Sequence, residues 1–227
     1  MGSDDIFKKR RAERQERKRE YRKPKANSYL IVTEGKKTEP NYFRGIRDII
    51  QKNLGGTVDI VQIPFIDIKG GGCSTRALIE ETDRIVNKSS VLYQNIWLVF
   101  DKDDFSDFDE AIELANAKGY KVAWSNQSFE YWLYLHFNYS DSALNRYQWN
   151  EKLDELFKNY GLGDGIYQKN YENLFELVNV YNGMDTAIHN AKRRMAAYNP
   201  QTMRPSSYDP GTNVHELVMQ LRQYLYE

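Results

Sequence analysis

Acidic side chains follow two apolar segments of this sequence, each at the point where the apolar run ends. Glu34 follows the run 29–33, and Asp101 and Asp103 follow the run 96–100. Carboxylate oxygens are the ligands that hard cations such as Mg²⁺ and Mn²⁺ prefer. A cation held between such acids activates a water molecule and stabilises the leaving oxygen of a phosphodiester. The residue types therefore suggest metal-dependent hydrolysis.

These acids can meet only if the two apolar runs are neighbouring parallel strands. In an open parallel sheet, ligands bind beyond the carboxyl ends of the strands, where the strand order reverses. A strand order of 2-1-3-4 would bring Glu34 beside Asp101. Asp103 would share a face with Asp101, because side chains two residues apart in extended backbone point the same way. Acids within about 4–6 Å raise one another's pKa unless a cation is bound, so the metal is part of the prediction.

Two further acids could reach the same edge of the sheet. Glu39 lies at the start of the helix predicted after the first strand, and Gly35 would let the backbone turn close to an ion. Glu130 lies in the first turn of the helix predicted after the fourth strand, close to Asn126, another candidate site residue. Both acids also have a structural explanation, because carboxylates are favoured at helix N-termini.

Basic side chains near these acids could contact a scissile phosphate. Lys36, Lys37 and Lys102 are the nearest in sequence. A second basic group consists of Lys192, Arg193 and Arg194. This group is either a nucleic-acid contact or the solvated face of a helix.

His136 and His215, two of the three histidines, lie within predicted helices. His136 is in a very apolar segment and is expected to be a core residue with satisfied hydrogen bonds. His215 is in the first turn of the last helix, where a charged imidazolium is disfavoured. A structural role and a substrate-facing role are both open for His215.

The charge of this 227-residue chain is unevenly distributed, although its formal net charge is zero. Residues 1–25 contain eleven Lys/Arg and five Asp/Glu, so the rest of the chain is acidic. The segment 1–27 is predicted to be a basic arm. It is either a solvated helix or a segment that binds nucleic acid or a partner through its lysines and arginines.

Several classes of protein are excluded by composition. The single cysteine, Cys73, excludes an internal disulfide framework and a zinc site built on cysteines. No apolar run reaches the roughly 18 residues of a membrane span, and the N-terminus has no apolar signal-peptide core. A reducing, cytoplasmic location is the expectation.

Periodicity predicts an α/β fold. Apolar runs predict four strands, at 28–33, 58–65, 95–100 and 120–124, alternating with helices at 40–50, 76–86, 107–117 and after 128. This alternation is typical of a parallel sheet with helices on both faces. Later helices are expected at 148–160, 171–180, 186–198 and 214–226, the last with a capping-box-like start at Asn213 and Glu216. The predicted division is therefore an arm (1–27), an α/β domain (28–138) and a helical C-terminal extension packed on it (139–227).

Four motifs carry a resemblance to a known family. A strand ending in Glu34-Gly35 followed by a strand ending in Asp101-x-Asp103 looks like the Toprim domain of primases, topoisomerases and OLD-type nucleases. The fuller set resembles the RloB-like family. Its motifs are TEGKKTEPNYF at 33–43, FDKD at 100–103, SNQSFEYWLYLHF at 125–137 and GTNVHELV at 211–218.

This resemblance implies a Toprim-like, Rossmann-like fold and a presumptive nuclease of prokaryotic defence or restriction loci. It also implies an AAA/ABC-type ATPase as a partner, with DNA or RNA as the substrate. By this analogy Glu34, Asp101 and Asp103 are catalytic and bind Mg²⁺ or Mn²⁺, and Glu39 and Glu130 are auxiliary ligands.

Two other readings of the acids are open. The first is a catalytically silent Toprim-like module that binds nucleic acid or an ATPase partner in a regulatory role. The second is a receiver-like phospho-acceptor domain, which also clusters acids at strand ends. That domain needs a lysine at the end of a later strand, whereas the fourth strand here ends in Trp124-Ser125-Asn126.

Overall fold

The centre of the protein is a four-stranded parallel sheet. The computed structural model describes residues 28–54, 66–70, 75–102 and 107–225. Its strands are β1 (Tyr29–Thr33), β2 (Ile66–Gly70), β3 (Asn95–Lys102) and β4 (Lys121–Asn126), in the order β2-β1-β3-β4. All neighbouring pairs are parallel. The predicted α/β class is confirmed, and the order is the one that Glu34 and Asp101 require in order to meet.

Some predictions lie outside the described residues. They are the basic arm, the predicted second strand at 58–65, and Asp103. The strand that pairs with β1 is Ile66–Gly70, which begins directly after the predicted strand at 58–65. Its sequence, IDIKG, alternates apolar and polar residues and is less apolar than the run before it.

Eight α-helices are assigned within the described residues. They are α1 (Thr38–Leu54), α2 (Thr75–Lys88), α3 (Phe108–Ala117), α4 (Phe129–Tyr134), α5 (Arg146–Tyr160), α6 (Leu174–Val178), α7 (Gly183–Met195) and α8 (Val214–Arg222). Short 3₁₀ turns cover Val180–Asn182 and Pro205–Ser207. Within the same ranges, no helix is both long enough and apolar enough to cross a membrane.

The helices form one layer on each face of the sheet. Alternate strand residues, such as Ile31 and Val99, face a core formed with α1 and with α4 to α8. The residues between them, such as Val32 and Leu98, face a second core with α2 and α3. The C-terminal helices therefore share a core with α1.

The edge strand β4 is covered by the segment that leads into α8. The side chain of Asn213 accepts from the backbone N–H of Trp124 at 2.6 Å and donates to the carbonyl of Val122 at 2.9 Å. Thr212 forms a bridge to Ser125. Because its side chain is engaged by β4, Asn213 makes no side-chain capping bond to α8, and the predicted capping box is wrong.

Gly45 allows α1 to pack closely on α6. A Cβ atom at this position would lie 2.5 Å from Cβ of Phe175. We expect Gly45→Ala to lower the free energy of unfolding by about 1–3 kcal/mol, because overpacking outweighs the better helix propensity of alanine. Urea denaturation measures this change. Gln51→Ala, on the exposed side of α1, is the control, and a Gly45→Ala protein as stable as wild type would contradict the packing.

Candidate functional site

Glu34 and Asp101 meet at the carboxyl edge of the sheet. Glu34 directly follows β1, and its backbone N–H donates to the carbonyl of Val99 in β3 at 2.8 Å. The backbone N–H of Asp101 donates to Oε2 of Glu34 at 3.4 Å. Pairing of β1 with β3 therefore places side by side two acids that are 67 positions apart.

Glu39 reaches the same edge from the start of α1. It is the second residue of the helix and only 7% exposed. Its carboxylate accepts hydrogen bonds from its own backbone N–H and from that of Gly35. A Cβ atom at position 35 would overlap this carboxylate, so Gly35 leaves the space that Glu39 occupies.

Glu130 is the fourth acid of the group, and it has direct partners. It is the second residue of α4 and 2% exposed. The Tyr167 hydroxyl donates to its Oε1 at 3.2 Å, and Nζ of Lys169 lies 2.9 Å from the same oxygen. The loop between α5 and α6 supplies both partners. Our sequence analysis missed them because nothing in the loop's pattern signals a contact with α4.

Asp101 lies between these groups and also caps α4. Its carboxylate accepts from the backbone N–H of Phe129, the first residue of α4. Ser128, at the N-cap position, makes no side-chain capping bond, and its buried hydroxyl has no partner. Asp101 thus replaces the usual local cap, which gives it a structural role in addition to any chemical one.

Three of these acids, Glu34, Glu39 and Asp101, have a raised pKa. Burial raises the pKa of Glu34 to about 7, with a further contribution from the charge of Glu39. Burial and the charge of Glu130 raise the pKa of Glu39 to about 7. Desolvation, followed by the charges of Glu39, Glu130 and Glu34, raises the pKa of Asp101 well above its usual value. We therefore refer to Glu34, Glu39, Asp101 and Glu130 as the acidic edge.

Two basic side chains offset part of this charge. Arg146, the first residue of α5, lowers the pKa of Glu34, and Lys169 lowers that of Glu39. Neither was identified from the sequence, because each comes from a segment far along the chain from the strand ends.

The donors of the acidic edge fit a hard divalent cation in their chemistry. All are carboxylate oxygens, and burial together with neighbouring charges raises the pKa of Glu34, Glu39 and Asp101, an effect that a bound cation would reverse. Among the described residues, no three His, Cys, Asp or Glu side chains are grouped as a ready coordination shell. Asp103, the third predicted ligand, is outside those residues. Glu34 and Asp101 are the side chains best placed to begin such a site.

The turn from β4 into α4 borders the acidic edge. Asn126 is fully buried, and its Nδ2 donates to the carbonyl of Ser206 at 3.3 Å, but its Oδ1 has no partner. Gln127 follows with a φ of 73°, in the left-handed region. Side chains other than glycine rarely adopt this conformation, and they concentrate at functional sites when they do.

Comparison with known proteins gives one match. A family model for RloB-like proteins matches residues 29–221. The chain belongs to the RloB-like family. This match covers the sheet, the acidic edge and helices α1 to α7, and it ends near the end of α8. No curated protein and no solved structure gives a significant match.

The lysines predicted to contact phosphate lie at the acidic edge of this RloB-like protein. Lys36 and Lys37 are exposed in the loop between β1 and α1. Lys102, the last residue of β3, is half-buried and is paired in register with Asn126. These three are therefore on the same edge of the sheet as Glu34 and Asp101.

The second basic group lies at the end of α7. Lys192 and Arg193 are exposed. The guanidinium of Arg194 donates to the carbonyls of Pro210 at 2.9 Å and Asp209 at 3.3 Å, and to the Tyr198 hydroxyl. Arg194 therefore holds the loop before α8, whereas Lys192 and Arg193 face solvent.

His136, two residues past the end of α4, and His215, in α8, are both buried, and burial lowers the pKa of each to about 4. His136 is bonded on both ring nitrogens, to the Tyr42 hydroxyl at 3.0 Å and to the Trp132 carbonyl at 3.1 Å. The prediction of a satisfied core histidine is confirmed. His215 is 7% exposed, and the nearby charge of Lys192 further disfavours its protonation. Both imidazoles are thus neutral at neutral pH.

Proposed function

We propose that this RloB-like protein hydrolyses phosphodiester bonds of nucleic acid in a metal-dependent reaction. The supporting observation is the acidic edge, where the charges of Glu34, Glu39 and Glu130 all raise the pKa of Asp101, at the carboxyl ends of β1 and β3 and the first turns of α1 and α4. Strand ends at a switch in strand order are the usual place for a ligand in this class of sheet. Concentrating acids there carries an electrostatic cost, because each disfavours the charged form of its neighbours.

Glu34 and Asp101 are the proposed ligands of Mg²⁺ or Mn²⁺, together with Asp103 two residues further along the chain. A bound cation of this kind supplies a water molecule of lowered pKa and compensates charge that develops on the phosphate. Glu39 and Glu130 would adjust the charge of the edge through their coupling to Asp101. Lys36, Lys37 and Lys102 would bind the phosphate backbone of DNA or RNA.

A role in prokaryotic defence and an AAA/ABC-type ATPase partner are further parts of the proposal. They are supported by the family resemblance alone. A cytoplasmic location is likewise an expectation from composition.

A catalytically silent module is the second candidate, and particular contacts favour it. Asp101 caps α4 through the N–H of Phe129, and Glu39 accepts from backbone N–H groups in its own turn. These acids therefore have structural roles that do not require a metal. In this alternative the protein binds nucleic acid or its ATPase partner and regulates it.

A cleavage panel combined with metal titration separates the two candidates. The full chain is incubated with plasmid DNA, single-stranded DNA and total RNA in Mg²⁺, Mn²⁺ or EDTA, and calorimetry measures metal binding to the EDTA-treated protein. We expect at least one polymer to be cut with either cation and none to be cut in EDTA. Metal binding without cleavage of any polymer would instead support the silent module.

A further inference from the structure

The side chain of Tyr181 is exposed to solvent, and the backbone that carries it has an unusual conformation. Its side chain is 86% exposed, although tyrosines are normally partly buried. Tyr181 and Asn182 both adopt left-handed conformations, with φ of 53° and 62°. The turn is fixed because Oδ1 of Asn179 accepts from the backbone N–H of Met184 at 2.9 Å. The ring therefore points outward from a fixed turn.

Tyr181 begins a row of aromatic rings. Its ring centroid lies 6.4 Å from that of Tyr160, which is itself 46% exposed at the end of α5. The Tyr160 ring lies 5.3 Å from that of Phe137. The planes are tilted by 48° and 41°, so the rings do not cover one another's faces.

An arginine on a tyrosine ring continues this row. The guanidinium carbon of Arg193 lies 3.9 Å from the ring centroid of Tyr139, two residues after Phe137. Helix α7 runs beside this segment, since Nδ2 of Asn190 donates to the carbonyl of Leu135 at 2.9 Å. Residues 186–194 of α7 contain no acid, so this end of the row is basic. We call Tyr181, Tyr160, Phe137, Tyr139 and Arg193 the aromatic strip.

The basic end of the aromatic strip is connected to the acidic edge by two routes. Helix α4 carries Glu130 at its start, is roughly 9 Å long and ends three residues before Phe137. Arg194, next to Arg193, donates to the Pro210 carbonyl, and the carbonyl of Gly211 accepts from the backbone N–H of Asn126. The aromatic strip and the acidic edge are thus connected through α4 and through the loop before α8.

Two exposed rings, those of Tyr181 and Tyr160, in a row that ends at a basic side chain fit a nucleic acid whose bases are unpaired. Every base has a face that can stack on an aromatic ring, and arginine adds contacts with both ring and phosphate. Bases within a duplex are already stacked on one another and cannot use such rings. Charge complementarity comes from Arg193, which is exposed at this end of the strip.

We infer that the aromatic strip binds a single-stranded segment of DNA or RNA and leads it to the acidic edge. The inference that the strip binds single strands rests only on the residues of the strip. The inference that it leads them to the acidic edge rests also on the proposed nuclease function. The strip would therefore favour single-stranded substrates over duplex DNA.

Fluorescence anisotropy in EDTA tests this inference without any cleavage. Labelled single-stranded oligonucleotides of about 15 nucleotides, long enough for a stacking site, are titrated with the full chain beside a blunt duplex of the same sequence. We expect Tyr181→Ala and Arg193→Ala each to weaken single-strand binding at least about fivefold, because the first removes a stacking platform and the second removes a cationic contact with base or phosphate. Duplex binding, including any contribution of the basic arm, is expected to stay unchanged.

Two further variants control for general effects. Tyr181→Phe keeps the ring and is expected to bind single strands as tightly as wild type. Leu114→Ala removes an exposed apolar side chain from α3, in the other helix layer, and is expected to have no effect.

The outcomes distinguish this inference from the proposed function. Unchanged single-strand binding in both alanine variants, or equal losses for duplex and single strand, would overturn the strip and leave it as a protein-docking face. A wild-type protein that binds no oligonucleotide would overturn it as well. Binding that depends on the strip, in a protein that cuts nothing, would support the strip and count only against the nuclease.

Discussion

Asp101→Asn and Glu34→Gln are each expected to lower the cleavage rate by at least about 100-fold. Changes in the residues around a metal's ligands already cost about 10–100-fold, and these two side chains are the proposed ligands themselves. Both substitutions keep the shape of the side chain and one acceptor oxygen. In Asp101→Asn the remaining amide oxygen would still accept from the Phe129 N–H, so α4 keeps its cap. Initial rates on the best substrate of the cleavage panel measure the effect.

Glu216→Gln is the matched control for this pair. Partial desolvation raises the pKa of the Glu216 carboxyl too, but this side chain is largely exposed and lines a pocket with Lys121 and Val122 at the opposite end of β4. We expect it to cleave as wild type does. Circular dichroism and melting temperature show whether each protein is folded. Full activity in a folded Asp101→Asn protein would contradict the proposed role, and its unfolding would indicate a structural role instead.

Glu39→Gln is expected to stabilise the metal-free protein at high pH. Burial raises the pKa of Glu39 from 4.5 to about 7, so the folded state binds this proton more tightly than the unfolded state. The stability that follows is fully present below about pH 4.5 and is lost as pH rises through about 7. Glu39→Gln has no carboxylate at this position, so its stability does not fall in this way as pH rises. Relative to wild type, the free energy of unfolding of the variant should rise by about 1–3 kcal/mol between pH 5 and pH 8.

Urea unfolding in EDTA at several pH values measures this difference. His136 and His215 act in the opposite direction, because their lowered pKa values cost stability as pH falls below about 6.5. They are common to both proteins and cancel in the difference. Glu155→Gln, an exposed acid of α5, is the control. Parallel pH profiles for wild type and Glu39→Gln would show that the acidic edge does not hold the excess proton.

The strand order and the meeting of Glu34 with Asp101 could be predicted because both follow from strong local patterns. An apolar run that ends in an acid marks a buried strand and its carboxyl end, and parallel packing brings such ends together. The position of β2 could not be predicted in the same way. Its residues alternate between apolar and polar, as at Asp67 and Lys69, and a more apolar run just before it matched the pattern of a buried strand better.

The partners of the acidic edge could not be predicted, since they come from segments without periodicity. Lys169 and Tyr167 lie 39 and 37 positions from Glu130, in a loop whose path is set by tertiary packing. Asn213 shows the converse case, in which a local pattern predicts a contact that tertiary packing replaces with another. Its spacing from Glu216 matches the pattern of a helix cap, but in the structure its side chain forms hydrogen bonds with the backbone of β4 instead.

The hydrogen bonds from Asn213 and Thr212 to β4 have a consequence for dividing the protein. Without them, the free N–H of Trp124 and the carbonyl of Val122 would be open to pairing with any extended chain. A fragment that ended near residue 138 would expose the unpaired edge of β4 as well as the apolar face that α8 covers. The first half of the chain is therefore a poor candidate for expression alone, because self-association would compete with its folding.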